Sequence, residues 1–180
     1  MSTSVLIIAF PDARAPVELA ESLIGWLVHR ELAEAFPEDR DGVLLHPPGP
    51  RCRELGGAMT LQPGTRADSG VMVDIEARLW FDWDDDRETV AACPLCGHEH
   101  NGGTVDQLLE RYAGQAAEGG FPCSSCLQTI PFPDWEFGEG VALAPLALTF
   151  YNWATGLLPS VRAELADLAG GRVLEIVGSE

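Results

Sequence analysis

The chain has 180 residues, of which 46% are apolar and 22% charged, which is ordinary globular usage and enough length to bury one real core. The formal charge is −17, from 28 acids against 11 bases, and every base is arginine. The lack of lysine excludes P-loop, Schiff-base and Ser-Lys chemistry, and so negative a chain must overcome its own repulsion to approach nucleic acid.

Residues 4–10 are β-branched and continuously apolar, as in a strand buried on both faces, and Pro11 ends the run. They carry no basic stretch or small-residue cleavage site of a secretory leader, and no apolar run reaches 18 residues. The expectation is a protein of the reducing cytoplasm, with its cysteines as thiols. Pro16 suits the first turn of a helix, with Glu18 and Glu21 where the helix dipole favours anions. Leu19, Leu23, Trp26, Leu27 and Leu32 make a broad apolar face, which predicts a helix over residues 16–35. Four prolines at 37, 47, 48 and 50 surround Val43, Leu44 and Leu45, a turn, short strand and loop. In residues 71–81 every odd position is apolar while Asp74, Glu76 and Arg78 face the other way, which predicts one long, half-buried antiparallel strand.

Residues 82–88 follow as an acidic turn, and then comes the most informative pattern in the chain. Cys93 and Cys96 form one CxxC, Cys123 and Cys126 a second, with 26 residues between them. Two thiolates held by one tight turn can grip a single ion, and two such turns complete a tetrahedron of sulfur at about 2.3 Å, the closed geometry of structural zinc. Gly97 sits where a knuckle needs a residue tolerant of positive φ, and Pro94 stiffens the turn. Other chemistries share the pattern: a disulfide or redox CxxC, iron in place of zinc, or His98 or His100 in place of one cysteine.

These residues resemble the zinc-ribbon, or rubredoxin-knuckle, group, in which CPxCG-like turns from two hairpins share one zinc. The resemblance covers about residues 91–128 and implies Zn2+ held by Cys93, Cys96, Cys123 and Cys126, but no activity. The second knuckle departs from it in lacking both Pro and Gly, and the spacer departs in being helical. Thr104 and Gln107 match a capping box before Leu108, Leu109 and Tyr112, which predicts a helix of about 12 residues between the knuckles.

Residues 130–135 and 141–151 read as further extended segments. Pro159 opens a final helix with Leu158, Val161, Leu165 and Leu168 on one stripe and Gly170-Gly171 at its end, and residues 172–177 make a last strand. With the knuckles set aside, the order is β-α-β, further strands, α-β. This predicts an α+β fold: a mixed sheet resembling the ferredoxin-like sandwich, two helices on one face, and an inserted zinc-ribbon module. The expected division is a core of residues 1–90 plus 129–180 and an insertion of residues 91–128. The segment at Phe150, Tyr151, Asn152 and Trp153 resembles that of small bacterial cytoplasmic proteins with internal knuckles, a likeness that implies no activity.

No GxSxG, HExxH or GxGxxG motif is present. The candidates for an enzyme site are Cys52, flanked by Arg51 and Arg53, with His46, and the acidic turn carrying Asp82 and Asp86. The aromatic residues Trp80, Trp83, Trp135, Trp153, Phe132 and Phe137 suit either core packing or a binding surface. A closed metal site, a negative surface and no assembled catalytic motif point to a non-enzymatic binding or adaptor protein with a protein partner of basic character. An inhibitor- or immunity-type role would suit such a surface. An enzyme with a dispersed site and a nucleic-acid-associated zinc ribbon are the alternatives, the latter opposed by the charge.

Overall fold

The computed structural model describes residues 4–40, 42–56, 69–81, 89–114, 119–138, 141–153 and 155–179. In chain order its elements are β1 (Ser4–Ala9), α1 (Pro16–His29), β2 (Glu38–Arg40), β3 (Val43–Leu45), β4 (Gly70–Asp74), β5 (Arg78–Phe81), β6 (Ala91–Ala92), β7 (Glu99–His100), α2 (Gly103–Gly114), β8 (Gly120–Pro122), β9 (Thr129–Pro131), β10 (Glu136–Phe137), β11 (Val141–Ala144), β12 (Ala147–Tyr151), α3 (Pro159–Ala169) and β13 (Leu174–Ser179).

Four strands form the main sheet in the order β13-β1-β12-β4, and every neighbouring pair is antiparallel. The class is α+β, but the expected mixed sheet is corrected to an antiparallel one. The reason is topological: α1 carries the chain from β1 to β4 across β12, and α3 carries it from β12 to β13 across β1. Each crossover joins parallel strands that are not neighbours. The central strand β1 is buried on both faces, as its continuous apolar run requires. Leu6, Ile8 and Phe10 pack with Leu23 and Leu27 of α1 and Val161 and Leu165 of α3. Val5, Ile7 and Ala9 point the other way, against Trp80, Ala142 and Ala144.

That second layer exists because the predicted long strand is not one strand. Residues 71–81 divide into β4 and β5 around Ile75, Glu76 and Ala77, and residues 141–151 divide into β11 and β12 around Pro145 and Leu146. The halves stay paired, with Asp74 opposite Ala147 and Arg78 opposite Ala144. Three residues therefore oppose two, which is the stagger of a bulge, and Pro145 has no N–H to continue the ladder. The ribbon bends, and β5 and β11 lie over the sheet face opposite the helices. Trp80 is buried there, its Nε1 donating to the Ala144 carbonyl at 3.1 Å, with the Arg78 guanidinium 3.9 Å from its ring centre. Of the two readings open to Trp80, core packing is the one realised, because the bend lays β5 over β1.

Helix α1 ends at His29, six residues before the predicted end. The N–H of Glu31 reaches the Val28 carbonyl and the N–H of Leu32 the Leu27 carbonyl, with Glu31 at φ 57. This is a Schellman stop, and it turns Leu32 back into the core beside Leu27. The proline loop then packs on that stop: Gly49 donates to the Leu32 carbonyl at 2.7 Å, and a Cβ on Gly49 would lie 2.3 Å from the Glu31 carbonyl oxygen. Helix α3 runs as predicted to a left-handed Gly170, though only Val161 and Leu165 of its stripe are buried, while Leu158 and Leu168 lie at its exposed ends. The last strand begins at Leu174, not at residue 172, because Arg172 has another task.

Arg172 ties three segments together. Its backbone N–H and Nε donate to Asp12 Oδ2, at 2.9 and 3.0 Å, and its Nη2 donates to Asp12 Oδ1 at 2.9 Å and to the Pro133 carbonyl at 2.6 Å. The Arg172 side chain, through these hydrogen bonds and its charge, holds the Asp12 carboxyl below its usual range against the opposing effect of burial. A carboxyl with a lowered folded-state pKa contributes stability above its unfolded pKa and loses that contribution as pH falls through the folded value. Asp12→Asn is therefore expected to be less stable than the parent at neutral pH. The gap should narrow as pH drops below about 4, the ordinary carboxylate range, measured by urea unfolding across pH.

Candidate metal centre

The two CxxC motifs cap two hairpins. β6 and β7 pair across Cys93–Gly97, and β8 and β9 pair across Cys123–Leu127. The two tips repeat one hydrogen-bond pattern. Gly97 donates to the Cys93 carbonyl at 2.8 Å and Cys93 to that of His98 at 3.0 Å; Leu127 donates to the Cys123 carbonyl at 2.9 Å and Cys123 to that of Gln128 at 2.9 Å. Gly97 has φ 70 and Leu127 has φ 60, so the knuckle lacking glycine adopts the same left-handed turn. The leucine side chain is exposed there, so packing gives little to offset the strain.

Helix α2 lies between the hairpins and presses Val105, Leu108 and Tyr112 onto Phe121, Ile130 and Phe132. It has the predicted length but begins at Gly103. Thr104 therefore sits inside the first turn, not at the cap, and the first backbone bonds run from Thr104 to Asn101 and from Val105 to Gly102. The apolar cluster continues beyond residue 128 into Phe132 and Trp135 and joins Leu79 and Leu143 of the bent ribbon. β10 also pairs with β6.

This packing brings all four sulfurs together. Cys93 Sγ lies 3.9 Å from Cys126 Sγ and Cys96 Sγ 3.7 Å from Cys123 Sγ, and the four ligand atoms lie within 4.8 Å of one another. A tetrahedron with metal–sulfur bonds of about 2.3 Å has edges of about 3.8 Å, so the donor set fits a single ion of zinc's size. A disulfide needs about 2.05 Å, and all five cysteines are free.

Neither histidine takes a cysteine's place. His98 is exposed and contributes its carbonyl to the first knuckle. His100 is buried with Nε2 3.4 Å from Cys123 Sγ, its ring edge-on to Trp135 at 5.2 Å. The Cys123 thiol is held down at about 5, first by the backbone N–H of Cys126 and, against burial, by His100. Cys126 receives the Gln128 N–H, yet burial and the sulfurs of Cys123, Cys93 and Cys96 push it up to about 11. Four sulfurs this close resist ionising together, and a bound cation removes that resistance.

The other candidate residues are placed differently. Cys52 is buried in the main core, and its carbonyl accepts from Trp153 Nε1 at 3.2 Å. His46 Nδ1 lies 3.0 Å from the Glu34 carbonyl, and its backbone pairs with Val71. Arg51 is engaged by Glu54 through Nε and Nη2 at 2.8 and 2.6 Å. The acidic turn with Asp82 and Asp86, and Trp83, lie outside the described residues. Trp80, Trp135, Trp153 and Phe132 are buried, so they pack and do not form an exposed aromatic surface. An outer-partner role beside the cysteines was open to both histidines in the sequence; the structure buries His100 against Cys123 and leaves His98 exposed, its ring edge-on to that of His100 at 4.7 Å. Comparison with protein-family models, with curated proteins and with solved structures finds no match for the chain.

Leu127→Gly is expected to stabilise the metal-loaded protein by about 1 kcal/mol. It relieves a left-handed non-glycine residue, at a smaller cost in unfolded-chain entropy. Chemical denaturation followed at a probe in this lobe would measure it.

Proposed function

We propose that the chain is a cytoplasmic, non-enzymatic binding protein, a ferredoxin-like α+β core carrying a zinc-ribbon lobe, which docks a basic protein partner. In this reading Cys93, Cys96, Cys123 and Cys126 hold Zn2+, and the ion is structural because four protein ligands leave no open coordination position. The observation that carries it is the sulfur cluster, with edges of 3.7 and 3.9 Å set at the tips of two matching hairpins. The strand order and the two helical crossovers support the ferredoxin-like reading of the core. The lobe is best taken as the connection between β5 and β11. Its sequence-based limits of residues 91–128 then widen toward residue 138, since β10 pairs with β6. Five free thiols suit a reducing compartment. Among the described residues no helix is long and apolar enough to cross a membrane.

When bound, Zn2+ would supply charge neutralisation and crosslinking. His100 would orient and stabilise the Cys123 thiolate from behind, as outer partners of metal ligands do. With the ion, the four thiolates leave the site at a net −2, which adds to the acidity of the surface. That acidity is the reason for choosing a basic partner, since complementary charge raises encounter rates and rejects acidic competitors.

Elemental analysis of protein purified under reducing conditions with zinc available should give one zinc per chain. Cys93→Ser and Cys126→Ser should each lose it and loosen residues 91–137, because metal binding in such lobes carries about 10–16 kcal/mol of folding free energy. The main-sheet amides should stay protected in hydrogen exchange. Capture from native lysate should yield a specific basic partner whose retention weakens as salt rises; no specific partner at low salt would refute the adaptor reading.

A further inference from the structure

Where the bent ribbon crosses the sheet, three strands come together that are each paired on one side only among the described residues. β13 pairs with β1, β11 with β5 and β10 with β6. Between them lies a groove of about 830 Å3. Leu174 and Ile176 form its floor from β13, Val141 and Leu143 come from β11, and Pro94 and Leu95 at the tip of the first knuckle form one lip. Leu95 is 66% exposed and adds apolar surface to that lip.

The charge around the groove is uneven. Arg162 and Arg172 line it, but both are already engaged: Arg172 by Asp12 and the Pro133 carbonyl, Arg162 by Glu175 at 3.5 Å and the Val173 carbonyl at 3.2 Å. Asp134 and Glu136 stand at the rim, exposed. Among the lining residues Asp134, Glu136 and Glu175 stand against the two arginines, three acids to two bases, a formal −1, and since both arginines are engaged the exposed charge is that of Asp134 and Glu136. The side chain of Glu136 makes no ion pair among the described residues.

A groove of mixed polar and apolar lining with an acidic rim, beside a strand edge unpaired among the described residues, is an arrangement that can receive an extended peptide. Main-chain hydrogen bonds along the edge supply affinity, and alternate side chains reach the trough and the rim. We infer that this groove binds an extended segment of a partner protein, with apolar and basic side chains in alternation, lying along the free edge of β13. This rests on the partner-binding reading and assigns its surface. The first knuckle is a wall of the groove, so metal loading shapes the site without touching the peptide.

The test uses the full, metal-loaded chain and three fluorescent hexapeptides: alternating lysine and valine, alternating glutamate and valine, and alternating lysine and proline. The lysine–valine peptide should bind saturably at low ionic strength, at least tenfold more tightly than the other two. The amide shifts it causes should map to residues 172–177, 134–138 and 141–143. Glu136→Lys, on the exposed rim, should weaken it several-fold without changing the melting temperature. Equal binding of the lysine–proline peptide, which keeps the charge but cannot pair as a strand, would reduce the effect to general electrostatics and overturn the inference. So would shifts mapping elsewhere, or no saturation at millimolar peptide. A native partner that is captured but not displaced by the lysine–valine peptide overturns the groove alone, whereas peptide binding with no native partner overturns the adaptor reading alone.

Discussion

The fold turns on a mismatch of one residue. Three residues, Ile75, Glu76 and Ala77, stand opposite two, Pro145 and Leu146, in a ladder that is otherwise continuous from β4–β12 into β5–β11. A flat ladder would leave one face of β1 in water, exposing Val5, Ile7 and Ala9. The bend lays Trp80, Ala142 and Ala144 over them, so a sheet with helices on one side acquires a second covering layer made from its own strands. The same bend aims the end of the ribbon away from the helices, and the metal lobe grows from that end. Leu79 and Leu143 of the ribbon belong to the lobe's apolar cluster, so the two cores meet along β5 and β11.

The lobe shows how little of a knuckle has to be spelled in the usual residues. What the geometry requires is one left-handed residue after the second cysteine of each pair and two backbone bonds that aim the sulfurs. Gly97 meets the first requirement without strain. Leu127 meets it under constraint, held by the Cys123–Leu127 and Cys123–Gln128 backbone bonds and by convergence on the opposite hairpin. His100 adds a buried ring nitrogen beside Cys123, and Trp135 fixes the ring's orientation. The proposed zinc ion and this small aromatic and apolar cluster would support each other, since a cluster of this size has little core of its own.

Acidity runs through the structure in two ways. Most carboxylates are solvated, while a few are structural: Asp12 under Arg172, Glu164 under Arg30 between the two helices, and Glu175, which accepts the Leu157 N–H at 3.0 Å. These local pairings use up the guanidinium groups next to the groove, so its rim remains negative in spite of two arginines on its walls. With 11 arginines in the whole chain, structural use of them leaves little positive surface for an acidic ligand.

Local signals were legible without coordinates wherever neighbours in sequence decide the outcome. The doubly buried β1, the start of α1 at Pro16, the end of α3 at Gly170, the helix between the knuckles and the pairing of four cysteines all follow from spacing, turn chemistry and apolar period. The sequence also determined that five thiols and no lysine bound the available chemistry. Only the tertiary structure decided where α1 stops, because Leu32 is pulled into a core its own helix does not contain. It likewise decided that residues 71–81 make two strands, because period-two alternation is the same on either side of a bulge whose cause, Pro145, lies on the partner strand. The burial of His100 against Cys123, the packing of Cys52 and the meeting of three strand edges that are unpaired among the described residues depend in the same way on residues tens of positions away, and local spacing carries no record of such contacts.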